Sequence, residues 1–196
     1  MEYENKRIAK NTLMLYFRQI LILLTSLYTV RIVLQALGAD DYGIYNVVAG
    51  TVTMFNFLSN SMATASQRFF SFELGKKNYK NLQQIFSLIM IIYIFLAIVI
   101  FIFTETFGLW FLKNKLTIPQ ERLNAAVMIY QFTIFSFIIT ILTTPYMASI
   151  IAHENMNIYA YASVIETILK LTIAILLKVL PYDKLVIYGL LLLLVT

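Results

Sequence analysis

Cysteine is absent from the 196 residues, and histidine occurs once. The first absence excludes disulfides and thiolate metal centres. The second leaves no multi-histidine metal cluster. Charge is scarce: Asp, Glu, Lys and Arg make up 13% of the chain, where a soluble domain carries about 25%. There is no phosphate-cradling glycine loop and no HExxH helix. The carboxylates are scattered, so nothing suggests an enzyme, a metal or a cofactor. Alternating strands of about ten residues, the mark of a transmembrane barrel, are also missing. The opening MEYENKRIAKN does not read as a signal peptide, and the first span is expected to stay in the mature protein. The run behind the opening is too long, is broken by Arg18, and lacks a small-residue cleavage pattern.

What is present is apolar and continuous. Sixty per cent of residues are hydrophobic, mean hydropathy is +0.79, and the apolar residues come in runs of roughly 20, the length of a bilayer-spanning helix. The sequence therefore predicts an all-α, polytopic transmembrane bundle of six helices, at 12–36, 42–70, 84–104, 120–151, 157–180 and 183–196. LGADDYG supplies turn chemistry between the first two spans. FGLWFL reads as an interfacial segment with Trp110 at headgroup level. Thr117 with Gln120 has the spacing of a capping box, and Pro119 suits a first turn. Pro145 should kink the fourth span or end it early. The last span stops inside GLLLLLVT with no polar exit, so the chain is expected to be a piece of a longer one. No internal repeat is evident.

The net charge of +5 is read as basic residues at helix ends, not as a nucleic-acid surface. Lys6, Arg7 and Lys10 precede the first span, the first loop has no Lys or Arg, and Lys76, Lys77 and Lys80 follow the second span. By the positive-inside rule the N-terminus is cytoplasmic. Lys113, Lys115 and Arg122 in the third loop break the pattern.

The polar residues inside the spans are the candidate site. A charged group at the bilayer centre costs at least ~2.5 kcal/mol on insertion scales, so such residues tend to face a cavity or a partner. Arg18 lies on one helical stripe with Thr25 and Thr29. Arg31 lies about 20 Å further along the axis, on another face, near Gln35. Arg31 either snorkels to the headgroups or forms a second station on a path. In the second span Asn46, Thr53, Asn56 and Asn60 share a face. Its small residues and hydroxyls also suit plain helix packing, but amides need more partners, and these are expected to line a hydrated cavity with Arg18. In the fifth span Glu166 and Lys170 are four apart, in the favourable order for an intrahelical pair, and Tyr159 and Ser163 continue their stripe. The pair either neutralises itself or works, with Glu166 as a coupling-ion site and Lys170 as an anion contact. His153, in AHENMN, reads as a surface residue.

The phrases NTLMLYFRQILILLTSLYTVRIVLQALGADDYGIYNVVAGTV, ASQRFFSFELGKKN, IPQERL and TTPYMASIIAHENMNIYAYASVIETILKL together cover nearly the whole chain. They resemble the bacterial polysaccharide (Wzx-type, O-antigen and oligosaccharide) flippases. That family shares a superfamily with the multidrug and toxic-compound extruders (MATE) and the lipid II flippase. The resemblance implies a core of twelve helices in two lobes, with this chain as the N-terminal lobe and a missing C-terminal lobe as its partner. It implies a bacterial cytoplasmic membrane protein that moves polyprenyl-diphosphate-linked oligosaccharide by alternating access, driven by a proton or sodium gradient or by the membrane potential. The anionic diphosphate head would meet Arg18, Arg31, Asn46, Asn56, Asn60 or Lys170. Two alternatives stand beside it: a multidrug or cation antiporter of the same superfamily, kept open by Glu166, and a membrane assembly subunit that transports nothing.

Overall fold

A computed structural model describes the backbone of residues 2–180 and 183–196 and the side chains of residues 12–180 and 183–196. Every described element is a helix. The side chains of Lys6, Arg7 and Lys10, used above for orientation, lie outside the described residues.

The first span and the start of the second form α1 (Glu2–Thr53), broken at Gly38, whose φ of 84° and ψ of 170° are not helical. An L side chain is strained in that conformation, so one glycine makes the whole reversal that LGADDYG led us to expect. The second span does not run unbroken over 42–70. It pauses at Met54 and Phe55 and resumes as α2 (Asn56–Gly75). The third span is longer than its apolar run. Helix α3 (Tyr79–Phe103) passes through a π-helical turn at Thr104–Gly108 into α4 (Leu109–Lys115), so FGLWFL continues the helix. A short 3-10 turn (Gln120–Arg122) then leads into α5 (Leu123–Ala152), followed by α6 (Met156–Leu176) and α7 (Lys184–Val195). Among the described residues, four helical stretches are long and apolar enough to cross a bilayer: Thr12–Thr53, Tyr79–Lys115, Gln120–Ala152 and Met156–Leu176.

Two expectations about helix ends need correction. Thr117 caps nothing: the backbone is extended at Leu116 and Pro119, and the 3-10 turn has no side-chain cap. Pro145 does not end its helix; α5 continues to Ala152 with Pro145 buried inside it. Membrane helices tolerate proline when neighbours satisfy the freed backbone, and α5 is surrounded. It touches each of the other helices, and Ile129, Tyr130, Ile134 and Ile141 are almost wholly buried.

The two turns at the N-terminal end of the bundle use the same device. After α2, Asn78 N–H reaches back to the Glu73 carbonyl and Lys77 N–H to that of Leu74, with Lys77 at φ 56°. After α5, Asn155 and Glu154 bond to Ile150 and Ile151 in the same pattern, with Glu154 at φ 59°. Both are Schellman closures.

At the far end, Arg122 ties three segments together. Its Nη2 donates to Asp41 Oδ2 and its Nη1 to Asp183 Oδ2, both at 2.9 Å. Asp183 Oδ1 also caps α7 through Leu185 N–H at 3.1 Å. This explains why a basic residue breaks the loop-charge pattern: Arg122 answers two local acids. Arg122→Gln should lower stability by about 1 kcal/mol, the upper range for exposed pairs, because Asp41 is left buried and unpaired. Arg122→Lys should recover little, since a single ammonium does not reproduce the two-pronged fork. Thermal unfolding in detergent would test this, and equal midpoints for all three proteins would refute it.

Candidate functional site

Helices α1 and α6 run side by side in the same direction. Near one end Arg18 Nη1 donates to Ser163 Oγ at 3.2 Å, and near the other Lys178 Nζ donates to Gln35 Oε1 at 3.4 Å. The Arg18 guanidinium carbon sits 4.5 Å from the centre of the Tyr159 ring, close enough for a cation–π contact. Arg18 Nε is buried without a partner. Arg18 is therefore turned onto the Tyr159–Ser163 stripe of α6, not onto the second span.

Below that contact, Ser26 and Thr29 of α1 face Ser163, Glu166, Thr167 and Lys170 of α6 across a cleft of about 350 Å³. Thr29 Oγ1 is satisfied within its own helix by the Thr25 carbonyl at 2.8 Å. A second cleft, of about 360 Å³, opens on the other side of Lys170. Its polar wall is Thr53 and Asn56 from the second span, Thr133, Ser136 and Thr140 from α5, and Tyr188 from α7. Tyr45 closes one flank, its ring meeting that of Tyr188 edge-on at 4.9 Å. Lys170 lines both clefts, and its Nζ donates to Glu166 Oε1 at 2.5 Å.

The predicted residues are thus dispersed. Lys170, Glu166 and Asn56 reach the clefts. Asn46 is exposed and donates to the carbonyl of Tyr42 in its own helix at 2.9 Å. Asn60 and Arg31 are exposed and line neither cleft. A single chamber shared by Arg18, Asn46, Asn56 and Asn60 does not form. The Gly38 reversal sets Arg18 against α6, and Asn46 and Asn60 project from the outside of the bundle. His153 is exposed, its Nδ1 2.8 Å from the Ser149 carbonyl.

Sequence reasoning missed the α5 wall. Thr133, Ser136 and Thr140 recur at i, i+3 and i+7, a one-face helical pattern that was open to inspection inside an otherwise apolar run. Their chemistry suits a polar cargo: three hydroxyls, of which Thr133 and Thr140 donate to the Ile129 and Ser136 carbonyls and offer the cargo acceptor oxygens, and an amide, with one ammonium where two openings meet. Among the described residues no group of three or more His, Asp or Glu is placed to hold a metal.

No curated protein and no solved structure matches the chain. The family model MatE matches residues 15–176, from the first span through α6. A bundle of apolar helices, four of whose described stretches are long enough to cross a bilayer, and that match over most of its length together establish that this chain belongs to the MatE family, a family of membrane transporters.

Proposed function

We propose that this chain is the N-terminal lobe of a flippase that carries polyprenyl-diphosphate-linked oligosaccharide across the bacterial cytoplasmic membrane. The observation that carries the reading is the charge balance of the polar clefts. Lys170 stands where the two openings meet, Arg18 is bonded to Ser163 at the edge of the α1–α6 cleft, and the single acid of their walls, Glu166, is already held by Lys170.

A lipid-linked sugar has a head that hydrocarbon rejects and a tail that water rejects. A polar cleft open to the side lets the head cross while the tail stays among lipid chains. The hydroxyls of Thr133, Ser136 and Thr140 suit sugar hydroxyls, and Lys170 suits phosphate oxygen, because hydrogen bonds with a charged partner are about twice as strong as neutral ones. Arg18 would accept the head on approach and hand it along α6, about 10 Å, to Lys170. In this role Arg31, Asn46 and Asn60 face the companion lobe.

Proteoliposomes carrying the full-length transporter and a fluorescent polyprenyl-diphosphate oligosaccharide supply the test. Leaflet exchange of the label supports the reading; absent exchange together with efflux of a lipophilic cation overturns it. That second outcome is the antiporter alternative, and Glu166 in the cleft wall is the observation that favours it. In cells, Arg18→Ala and Arg18→Lys should both reduce surface polysaccharide several-fold while membrane insertion is unchanged. Lysine keeps the charge but loses the flat stack on Tyr159. Normal export in both variants would remove Arg18 from the path.

A further inference from the structure

We propose that the groove between the second half of α1 and the α3–α4 helix is a phospholipid site. It takes one acyl chain of a zwitterionic lipid from the leaflet at the far end, with the headgroup between Lys115 and Asp40. This site is separate from the transport clefts. Thr51 lines the groove and Thr53 lines the cleft, about 200° apart round the same helix.

The groove has two compartments in line. The deeper one, about 610 Å³, is walled by Met54, Phe57, Phe103, Phe107 and Phe111. Its few polar atoms are already engaged. Thr51 Oγ1 donates to the Val48 carbonyl at 2.7 Å, Thr104 Oγ1 donates to the Ile100 carbonyl at 2.8 Å, and the Thr104 carbonyl accepts from Tyr130 Oη at 2.8 Å. With no free donor on offer, the slot suits hydrocarbon. One helical turn further out, from Val47 on one wall and Lys115 on the other, begins a compartment of about 530 Å³ that also includes Asp40 and Thr117. Asp40 and Lys115 are both exposed, and no ion pair joins them among the described residues.

Depth and charge choose the occupant. From Lys115 to Phe103 the helix rises about 18 Å, close to the ~15 Å half-thickness of a bilayer's hydrocarbon core. The Phe55 and Phe103 rings meet across the inner end, 5.9 Å between centres. A partner helix would run the full thickness of the membrane; an acyl chain from one leaflet stops where this slot stops. At the mouth, one cation and one anion without each other match a phosphate and a primary ammonium, the headgroup of phosphatidylethanolamine. Phosphatidylglycerol offers Lys115 the same phosphate but nothing to Asp40.

The test is lipid retention by the full-length protein, purified from vesicles of palmitoyl-oleoyl phosphatidylethanolamine and phosphatidylglycerol mixed equally, read by native mass spectrometry. Phosphatidylethanolamine should be retained several-fold over phosphatidylglycerol. Lys115→Gln should reduce retained phosphatidylethanolamine about tenfold, the effect of losing one charge-assisted contact. Asp40→Asn should bring the two lipids close to parity. Thr51→Trp, which fills the slot, should abolish retention. Equal retention of both lipids by the unaltered protein overturns the proposal, as does retention that Lys115→Gln leaves unchanged, even if Thr51→Trp does not fold. A third result assigns the groove to a protein partner: neither lipid is retained, and in a Phe107→Cys variant, whose thiol would be the only one among these 196 residues, maleimide fails to label that position in lipid-free detergent.

Discussion

Lys170→Gln should slow export of a lipid-linked oligosaccharide by about tenfold, the lower end of what losing one charge-assisted contact costs, because the ammonium is half exposed to solvent. Lys170 lines both clefts and is bonded to Glu166, so its partner provides the control. If the cargo is anionic, Glu166 competes with it for the ammonium. Glu166→Gln should then free Lys170 and preserve or tighten binding. If the cargo is a cation, the order reverses: Glu166→Gln abolishes transport and Lys170→Gln spares it. Transport rates of the two single variants in proteoliposomes therefore discriminate between the two readings of the family membership. Equal, small effects in both would remove the pair from the transport path and leave it an intrahelical ion pair of the ordinary surface kind, contributing a few tenths of a kcal/mol.

Gly108→Ala should destabilise the protein by about 2–3 kcal/mol, in spite of alanine's better helix propensity. A Cβ at this position falls 1.9 Å from Tyr130 Oη and 3.1 Å from its Cζ. Tyr130 is 1% exposed in the second turn of α5, so its ring can yield only toward the groove that it borders. Its hydroxyl would also have to leave the Thr104 carbonyl, a buried acceptor that then goes unsatisfied. Tyr130→Phe alone should cost about 1 kcal/mol. Combined with Gly108→Ala it should cost clearly less than the sum of the two, because the clashing oxygen is gone. Denaturation midpoints of the four proteins complete the cycle; strict additivity would mean that glycine is not there to admit the tyrosine.

Much of this architecture was legible in advance. The apolar runs marked where helices form, although the second proved to be broken at Met54 and Phe55, and two glycines with two aspartates marked the first reversal. The i, i+4 spacing of Glu166 and Lys170 gave their bond. The location of the cleft was not legible, and the reason is chemical. Polar residues in a membrane helix need not face water or a partner. Ser61, Thr64 and Ser66 each donate to a carbonyl four residues earlier in their own helix, and Asn46 does the same. The most polar span therefore overstated its share of the cavity. The central α5, whose hydroxyls stand among isoleucines and phenylalanines, understated it. Hydropathy reports how well a segment leaves water, not which side of it meets lipid. The most apolar span, Tyr79–Lys115, is accordingly less buried than Gln120–Ala152.

The π turn at Thr104–Gly108 amounts to one extra residue spliced into an α-helix. Wound instead as uniform α-helix, the same residues would swing everything beyond them by about 100°, and the wider turn absorbs that rotation. In the uniform winding Lys115 would point away from the second half of α1, which it now faces across the groove. A one-residue deletion at this turn would therefore leave the outer tip aimed as it is, whereas the same deletion a few turns away would re-aim it.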